Sequence, residues 1–237
     1  MNLRLDPSRA IGTYAAVMTA IAAWTLLAGV GAVTPARFDT IDVKRINVRE
    51  NDGTLRLIIA GSDHIGGLFI DGKEYPHPNR TEAGLIFLND EGTENGGLVF
   101  DGANVNGKPT NSGHLSFDRW HQDQTLYFES LEDGDQRRAG VFVEDRPDRP
   151  ADFPRMTALR LMPDGPGKDA AFNAAGLGKS MRRAFLGRDF DGASKLVLRD
   201  GQGRARLTLQ VDNDGAARID FLDAAGKVVR SQTAAGL

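Results

Sequence analysis

A segment of 23 residues near the N-terminus carries no charged residue, and it limits the fold more than any other feature of the chain. It covers residues 11–33 and reads IGTYAAVMTAIAAWTLLAGVGAV. As a helix it would be about 34 Å long, which is enough to cross a hydrocarbon core of about 30 Å. The segment therefore predicts a single transmembrane helix that acts as an uncleaved signal anchor behind the N-terminal tail, residues 1–10.

Two other interpretations of residues 11–33 stay open. A cleaved signal peptide usually has an apolar region of about 7–15 residues, which is shorter than this segment, but the small residues at 29–32 could still be cut. A buried core helix is the third interpretation, although such helices rarely stay uncharged for so long. The anchor interpretation makes the lipid bilayer a partner through residues 11–33.

The basic residues around the segment do not settle its orientation. Arg4 and Arg9 precede it, whereas Arg37, Lys44 and Arg45 follow it, and this simple count favours a cytoplasmic C-terminal side. However, long domains cross the membrane largely regardless of such charges. We expect a single-pass protein of the inner (cytoplasmic) membrane whose main domain is periplasmic or extracellular.

Composition excludes several function classes. The chain has 237 residues, of which 41% are hydrophobic and 26% are charged, so wholesale disorder is excluded. A net charge of −3 argues against a nucleic-acid partner. Because there is no cysteine, the chain has no disulfide, no thiolate metal site and no cysteine nucleophile.

Beyond the segment, short alternating apolar runs are separated by Asp-Gly pairs. Asp-Gly is a strong hairpin signal because glycine adopts positive φ without a Cβ penalty. The pairs begin at Asp52, Asp71, Asp101, Asp133, Asp191, Asp200 and Asp214. The alternating runs predict strands at 41–48, 55–59, 85–88, 98–100, 115–117, 125–129, 140–143, 158–161, 184–186, 195–198, 205–211, 218–222 and 228–229. The expected fold is an all-β domain of repeated hairpins, either sandwich-like or solenoid-like.

Internal repeats support one hairpin unit used more than once. Residues 46–60, INVRENDGTLRLIIA, align without gaps with residues 196–210, LVLRDGQGRARLTLQ. A second, weaker repeat is Gly66-Gly67-Leu68 with Asp71-Gly72. It recurs 30 residues later as Gly96-Gly97-Leu98 with Asp101-Gly102. A single hairpin cannot bury its apolar face, so neighbouring units must pair or stack.

A stretch rich in proline, glycine and alanine marks a candidate boundary at 144–178. We therefore expect a β-rich lobe at 34–161, a connector at 162–181 and a smaller β lobe at 182–237 that repeats the first unit. Residues 170–185 could instead be helical, but Gly176 and Gly178 would each cost up to about 1 kcal/mol inside a helix, so we expect only a short helical turn there.

The most unusual polar segment is residues 89–97, NDEGTENGG, between two apolar strands. Its candidate binding residues are Asn89, Asp90, Glu91, Glu94 and Asn95. Clustered oxygens suit a divalent cation, although the spacing departs from the D-x-[DN]-x-[DN]-G calcium pattern. Two other interpretations of this segment remain. It could supply a carboxylate pair for glycoside hydrolysis, or it could be a polar hairpin that caps its own backbone. We expect no catalytic residue, no dedicated metal ligand and no obligatory cofactor, with a divalent cation as the alternative.

Other chemistry-bearing residues give weaker signals. The four histidines, His64, His77, His114 and His121, lack the i, i+4 spacing of a metalloprotease pair. A His/Asp metal site near His114 and His121 stays open, but exposed loop histidines are the simpler interpretation. The cluster Lys179, Arg182, Arg183 and Arg188 could touch anionic lipid or a polymer, or form a solvated face. No G-x-S-x-G or phosphate-loop motif occurs.

Several stretches resemble a known group of proteins. They are IDVKRINVR at 41–49, NDEGTENGGL at 89–98, LSFDR at 115–119 and FLD at 221–223. Each is similar to sequence in bacterial membrane-anchored proteins with a β-rich domain and no assigned function. The resemblance covers most of the chain after residue 33 and implies no catalytic residues.

These observations favour a membrane-tethered, extracytoplasmic binding or structural module of the cell envelope. Sheet faces or edges would bind an envelope protein or a glycan. The alternative is a glycan-directed envelope hydrolase that uses the clustered carboxylates Asp90, Glu91 and Glu94. The sequence identifies no ligand, and an enzymatic role is the less favoured of the two.

Overall fold

The structure is a computed structural model, and it describes residues 7–28, 35–177 and 180–233. The chain divides into two compact units, 1–42 and 43–237. In the first unit, α1 covers Pro7–Ala28. Its apolar side chains are exposed along the helix, namely Ile11, Tyr14, Val17, Met18, Ile21, Trp24 and Leu26.

The predicted transmembrane helix is not supported by the structure. Within the described ranges, no helix has both the length and the apolar character that crossing a membrane requires. The predicted span also includes residues 29–33, which lie outside the described residues.

In its described residues, the second unit is dominated by one open antiparallel sheet of twelve strands. Each strand in it pairs with the next strand of the sheet along the chain. Its strands are β1 (Arg45–Arg49), β2 (Leu55–Ala60), β5 (Ala83–Leu88), β6 (Glu94–Val105), β7 (Lys108–Asp118), β8 (Gln124–Asp133), β9 (Gln136–Asp145), β10 (Met181–Arg188), β11 (Ser194–Arg199), β12 (Ala205–Val211), β13 (Ala217–Leu222) and β14 (Val228–Thr233).

The mostly β fold is confirmed, but the expected sandwich or solenoid is not what the strands form. Short hairpin loops place each strand beside its predecessor, so successive hairpins lengthen the same sheet. The strands before and after the predicted connector also join directly, because β9 pairs with β10. The division of the chain into lobes at 34–161 and 182–237 stays a prediction.

The two aligned repeats form equivalent hairpins. β1 and β2 enclose one turn, and β11 and β12 enclose the other. Arg49 Nη1 donates to the Gly53 carbonyl at 2.8 Å, and Arg199 Nη1 donates to the Gly203 carbonyl at 3.1 Å. After both repeats the following strand pairs in the same register, with Leu57 opposite Phe87 after the first repeat. The matching pair after the second repeat is Leu207 opposite Phe221.

One turn geometry recurs along the sheet. The first residue donates its N–H to the carbonyl of the fifth, and the fourth donates to the carbonyl of the first. In six of these turns a glycine with positive φ occupies the fourth position, where any Cβ would be strained. The turns begin at Glu50, Asn89, Arg119, Asp189, Asp200, Asp212 and Asp223.

The turn predicted at Asp101-Gly102 is wrong, because both residues lie inside β6. The chain reverses five residues later at Asn106-Gly107, where both residues have positive φ, 54° and 84°. Asn-Gly favours this two-residue turn, in which both central residues need positive φ. β6 and β7 are therefore longer than the apolar runs in them predicted.

Two insertions interrupt the series of hairpins. Between β2 and β5 lie a 3₁₀ turn (Ser62–His64) and a separate two-stranded sheet, β3 (Leu68–Ile70) with β4 (Lys73–Tyr75). Between β9 and β10 lie α2 (Phe153–Arg160), α3 (Pro166–Phe172) and a π-helical turn (Asn173–Leu177). Both insertions pack on the same face of the large sheet, which we call the covered face.

The strand predicted at 158–161 is wrong, because most of it belongs to α2. Asp152 caps this helix by accepting a hydrogen bond from the Arg155 N–H at 3.1 Å. Phe153, Met156 and Leu159 are buried at helical spacing, which sets the period of the segment. The helical alternative for 170–185 holds only for its first part, since β10 begins at Met181.

The core lies on the covered face in three clusters. The first joins β2 and β5 to the residues around the 3₁₀ turn, with Ile58 and Ile86 at its centre. The second joins β3 to α2 through Leu68, Ile70 and Met156. The third is an aromatic stack along β8, β9 and β10, consisting of Tyr127, Phe142 and Phe185.

The opposite face of the sheet, which we call the open face, is apolar from β1 to β13. Residues that are directly paired in adjacent strands share a face, so the strand register defines rows across the sheet. One row is Ile46, Ile59, Leu85, Leu98, Leu115, Phe128, Val141, Leu186, Leu196, Leu209 and Ile219. The next is Val48, Leu57, Phe87, Gly96, Phe117, Leu126, Val143, Ala184, Leu198, Leu207 and Phe221.

Candidate functional site

A cavity of about 220 Å³ lies on the covered face. Strands β5, β6 and β7 form its floor, and β3 and α2 contribute to its walls. Apolar side chains lining it include Leu68, Ile70, Ile86, Val99 and Met156. Its ionisable lining residues are His77, Arg80, Glu82, Glu94, His114, Asp118, Asp123 and Arg160.

Strand geometry explains why β7 supplies three polar groups to this cavity. Side chains two residues apart on a strand share a face. His114, Ser116 and Asp118 therefore point to the covered face, while Leu115 and Phe117 point to the open face. The alternation that builds the apolar open face thus also builds the polar floor of the cavity.

Glu94 and Arg80 form an enclosed ion pair at the cavity. Arg80 Nη2 lies 2.5 Å from Glu94 Oε1, and the two side chains are only 11% and 12% exposed. Arg80 Nη1 also donates to the Gly67 carbonyl at 2.5 Å. Burial raises the pKa of Glu94 above its usual value, although the charge of Arg80 opposes this rise. Glu94 Oε2 is closed to solvent and has no hydrogen-bond partner in the described part of the chain.

Asp118 carries the more strongly perturbed carboxyl group. Burial raises the pKa of Asp118 well above its usual value, and the nearby carboxylates of Asp123 and Glu94 raise it further. Arg146 and Arg80 act in the opposite direction. Asp118 therefore holds its proton to a higher pH than an ordinary aspartate, and it can donate a hydrogen bond into the cavity.

The histidines of the cavity differ in their environments. Burial, together with the charges of Arg160 and Arg80, lowers the pKa of His77 to about 4, so this ring is neutral near pH 7. Its buried Nδ1 has no hydrogen-bond partner among the described residues. His114 Nε2 lies 2.5 Å from Gln124 Oε1, which ties the ring to the start of β8.

The turn at 119–123 is hydrogen-bonded to the segment that precedes α2. The Ala151 N–H donates to the His121 carbonyl at 2.8 Å. Gln122 Nε2 donates to the Arg149 carbonyl at 2.7 Å, and Gln122 is only 3% exposed. Arg119 Nη1 contacts the Pro147 carbonyl at 3.0 Å. Segment 146–151 is therefore fixed to the turn between β7 and β8, and it leads directly into α2.

The structure separates the predicted site residues. Asn89 caps its own turn, since its Oδ1 accepts from the N–H groups of Glu91 and Thr93. Asp90 is exposed and pairs with Arg56 at 2.7 Å. Asn95 is exposed on β6. Of the five residues, only Glu94 lines the cavity.

Glu91 belongs to a second polar cluster outside the cavity lining. Its Oε2 accepts hydrogen bonds from Trp120 Nε1 at 3.0 Å and from His121 Nε2 at 3.1 Å. The His121 hydrogen bond, followed by that of Trp120, lowers the pKa of Glu91. Ligand atoms of Asp71, Glu91 and His121 lie within 4.8 Å of one another, so these three residues could hold a divalent cation.

The basic cluster suggested by the sequence is mostly occupied by internal contacts. Arg182 Nη2 pairs with Glu144 at 3.3 Å, and its guanidinium lies 4.6 Å from the Phe142 ring centroid. Arg183 pairs with Asp145 at 2.5 Å. Arg188 Nη1 donates to the Arg137 carbonyl at 2.7 Å. Lys179 lies outside the described residues.

Sequence reasoning missed most of the cavity. His77, Arg80 and Arg160 come from the two insertions. No local sequence pattern predicted that these insertions pack on the sheet. Asp118 did carry a signal, because it continues the alternation of His114 and Ser116 toward the covered face.

We compared the chain with protein-family models, with curated proteins and with solved structures, and none of these comparisons gave a significant match.

The cavity combines groups that can donate and accept hydrogen bonds with apolar side chains of its floor and walls. Its carboxyl groups face two arginines, and two of those carboxyls, Glu94 and Asp118, have raised pKa values. A ligand with a strong charge of either sign would meet a group of like charge. The arrangement therefore suits an uncharged polar ligand.

Proposed function

We propose that this chain is a membrane-tethered, extracytoplasmic binding module whose cavity takes an uncharged, hydroxyl-rich ligand, such as one sugar residue of an envelope glycan. The observation that carries the proposal is the pair of unpartnered polar atoms at the cavity, Glu94 Oε2 and His77 Nδ1. Buried polar atoms are nearly always hydrogen-bonded, so these two point to a missing partner at the cavity. Because both atoms are closed to solvent, each side chain would turn toward the cavity to bind a ligand hydroxyl.

The size and lining of the cavity support a small ligand. Its volume of about 220 Å³ is below the usual range for drug-sized ligands, about 300–1,000 Å³, and suits a single ring. Sugars present hydroxyl groups at their edges and C–H groups on their faces. Polar groups such as Asp118 would bind the hydroxyls, and Val99 and Met156 would contact an apolar face.

The proposal of a membrane tether is based on the first unit of the chain. Residues 11–33 have no charge and are long enough, as a helix, to cross a bilayer. The exposed apolar side chains of α1, such as Ile11, Trp24 and Leu26, would be stabilised by lipid. With this tether in the inner membrane, the second unit would face the periplasm or the exterior.

Ligand binding is tested by titrating the purified full chain with neutral monosaccharides, glucose and N-acetylglucosamine, in a calorimeter. The variant Ser116→Leu places a larger side chain on the cavity floor and should weaken binding at least about tenfold, which corresponds to about 1.4 kcal/mol. Ser112→Leu is the matched control, since Ser112 lies on the same strand and face but outside this cavity. Equal affinity for the two variants would contradict the proposal.

The tether is tested separately with the same full chain. The chain has no cysteine, so Gln202→Cys, in an exposed turn, supplies a single thiol. A membrane-impermeant maleimide should label it in cells whose outer membrane alone is permeabilised. Labelling that appears only after lysis would contradict an extracytoplasmic domain.

A glycan-directed hydrolase is the second candidate, and the raised pKa of Asp118 favours it. A carboxyl group that holds its proton to a higher pH than usual can act as a general acid toward a glycosidic oxygen, and Glu94 or Asp123 would be the partner carboxylate. The binding interpretation predicts no release of reducing ends from glycan oligomers. The hydrolase interpretation predicts release that Asp118→Asn abolishes while sugar binding persists.

A further inference from the structure

We propose that the open face is an interface between two copies of this chain, which pack sheet against sheet. The starting observation is its lack of charge: none of the 22 residues in its two rows, from β1 to β13, is charged or polar. Many of these side chains are exposed in the single chain, and Leu186 is the most exposed of them at 56%.

The area of the face is too large for an uncovered surface. The two rows cross eleven strands, which at a spacing of about 4.8 Å extend over about 50 Å, and two rows of side chains cover about 14 Å along each strand. The product is about 700 Å² for each copy. The largest apolar patch on a typical monomer is about 300–600 Å².

The same area matches what a stable dimer needs. Two such faces would together bury about 1,400 Å², which lies within the standard range of about 1,200–2,000 Å² for specific interfaces. Identical sheets have the same twist, so their faces can pack at about −30° with interdigitating side chains. A two-fold axis uses the same patch on both copies and closes the assembly.

The residues of the face favour a second copy over a lipid surface. Proteins that lie on membranes combine apolar residues with lysine, arginine and tryptophan at the boundary. The two rows contain no basic residue and no tryptophan, and basic residues occur only at their margins, with Arg188 beside them and Arg230 on β14. Aliphatic residues and phenylalanine fill the rows, as in the interior of a β-sandwich.

The test compares lysines introduced on the two faces of the sheet. On β12 the neighbouring residues Thr208 and Leu209 point to opposite faces, and Leu186 on β10 shares the face of Leu209. The doubly substituted chain Leu186→Lys/Leu209→Lys places two lysines on the open face at positions that are exposed in one copy. Thr208→Lys is the matched control, and its lysine would lie opposite Asp220 on the other face.

Sedimentation equilibrium of the full chain, in a density-matched mild detergent, should give twice the 25.6 kDa monomer mass. The double variant should raise the dimer dissociation constant at least about 100-fold, because buried unpaired charges are costly, and Thr208→Lys should leave it unchanged. Circular dichroism verifies that each variant is folded. A monomeric wild type, or a dimer that persists in the folded double variant, would overturn the proposal. So would a monomer that binds phosphatidylcholine vesicles through this face, since lipid would then be the occupant.

Discussion

At the scale of single residues, the cavity depends on carboxyl groups whose pKa values are raised by burial. Glu94 was found from the sequence because it lies in an unusual acidic turn. Asp118 was not singled out for the cavity, because its environment is created by residues from other strands and from the insertions. Burial is a property of the packed molecule, so the local sequence could not reveal the raised pKa of Asp118.

Asp118 should make stability depend on pH. Its folded-state pKa is raised, so the protonated form contributes stability that is fully present below the unfolded value of about 3.8 and is lost as pH rises through the folded value. Asp118→Asn removes this ionisation. The variant should therefore gain stability relative to wild type as pH rises from 4 to 8.

Thermal unfolding followed by circular dichroism across this pH range measures the effect. The matched control is Asp90→Asn, since Asp90 is exposed at its turn. A difference between Asp118→Asn and wild type that is the same at every pH would contradict a raised pKa.

The Glu94–Arg80 pair should be important for stability. Both side chains are almost enclosed, so Arg80→Leu leaves a carboxyl group without its partner and loses the bond to the Gly67 carbonyl. We expect a loss of about 3–5 kcal/mol in the free energy of unfolding, measured in urea. Asp148→Ala breaks the Arg119 pair at a fully exposed carboxylate and should have no measurable effect.

At the scale of elements, the turns were largely predictable and the insertions were not. An Asp-Gly pair announces a turn because glycine at positive φ is required locally, and this requirement is independent of distant contacts. The prediction failed at Asp101, where the Asn106-Gly107 turn provides the reversal instead. The strand predicted at 158–161 was wrong for a different reason, because the packing of Phe153 and Met156 stabilises a helix there.

The recurrent turn gives a direct stability prediction. Gly203 has φ +75° with no close neighbour, so Gly203→Ala should cost about 1–2 kcal/mol through backbone strain alone. Gly201 lies in the same turn, also has free space, and does not adopt positive φ. Gly201→Ala should therefore be close to neutral in the same denaturation experiment. Equal losses for both variants would contradict this account of the turn.

At the scale of the whole molecule, alternation predicted strands with one apolar face but not where that face would lie. The repeat at 46–60 and 196–210 correctly indicated equivalent hairpins. Alternation and repeats are equally compatible with two packed sheets, a solenoid or one open sheet, because each architecture buries one face of every strand. The observed sheet places its insertions on the less apolar face and leaves the uniformly apolar face open.

These two faces suggest a division of roles within one sheet. The covered face holds the cavity under α2, and the open face offers the contact between copies. Because the rows of the open face alternate with the cavity residues along β7, a substitution such as Phe117→Ala affects one face and Ser116→Leu affects the other.

The central claim, ligand binding in the cavity, is tested most directly by methionine-methyl NMR. The chain has five methionines, and Met156 lines the cavity at 1% exposure. In full chain labelled with ¹³C at methionine methyl groups, glucose or N-acetylglucosamine should shift the Met156 resonance and leave those of Met162 and Met181 in place. Titration with either sugar that leaves Met156 unchanged, or shifts only the other methionines, would contradict the claim.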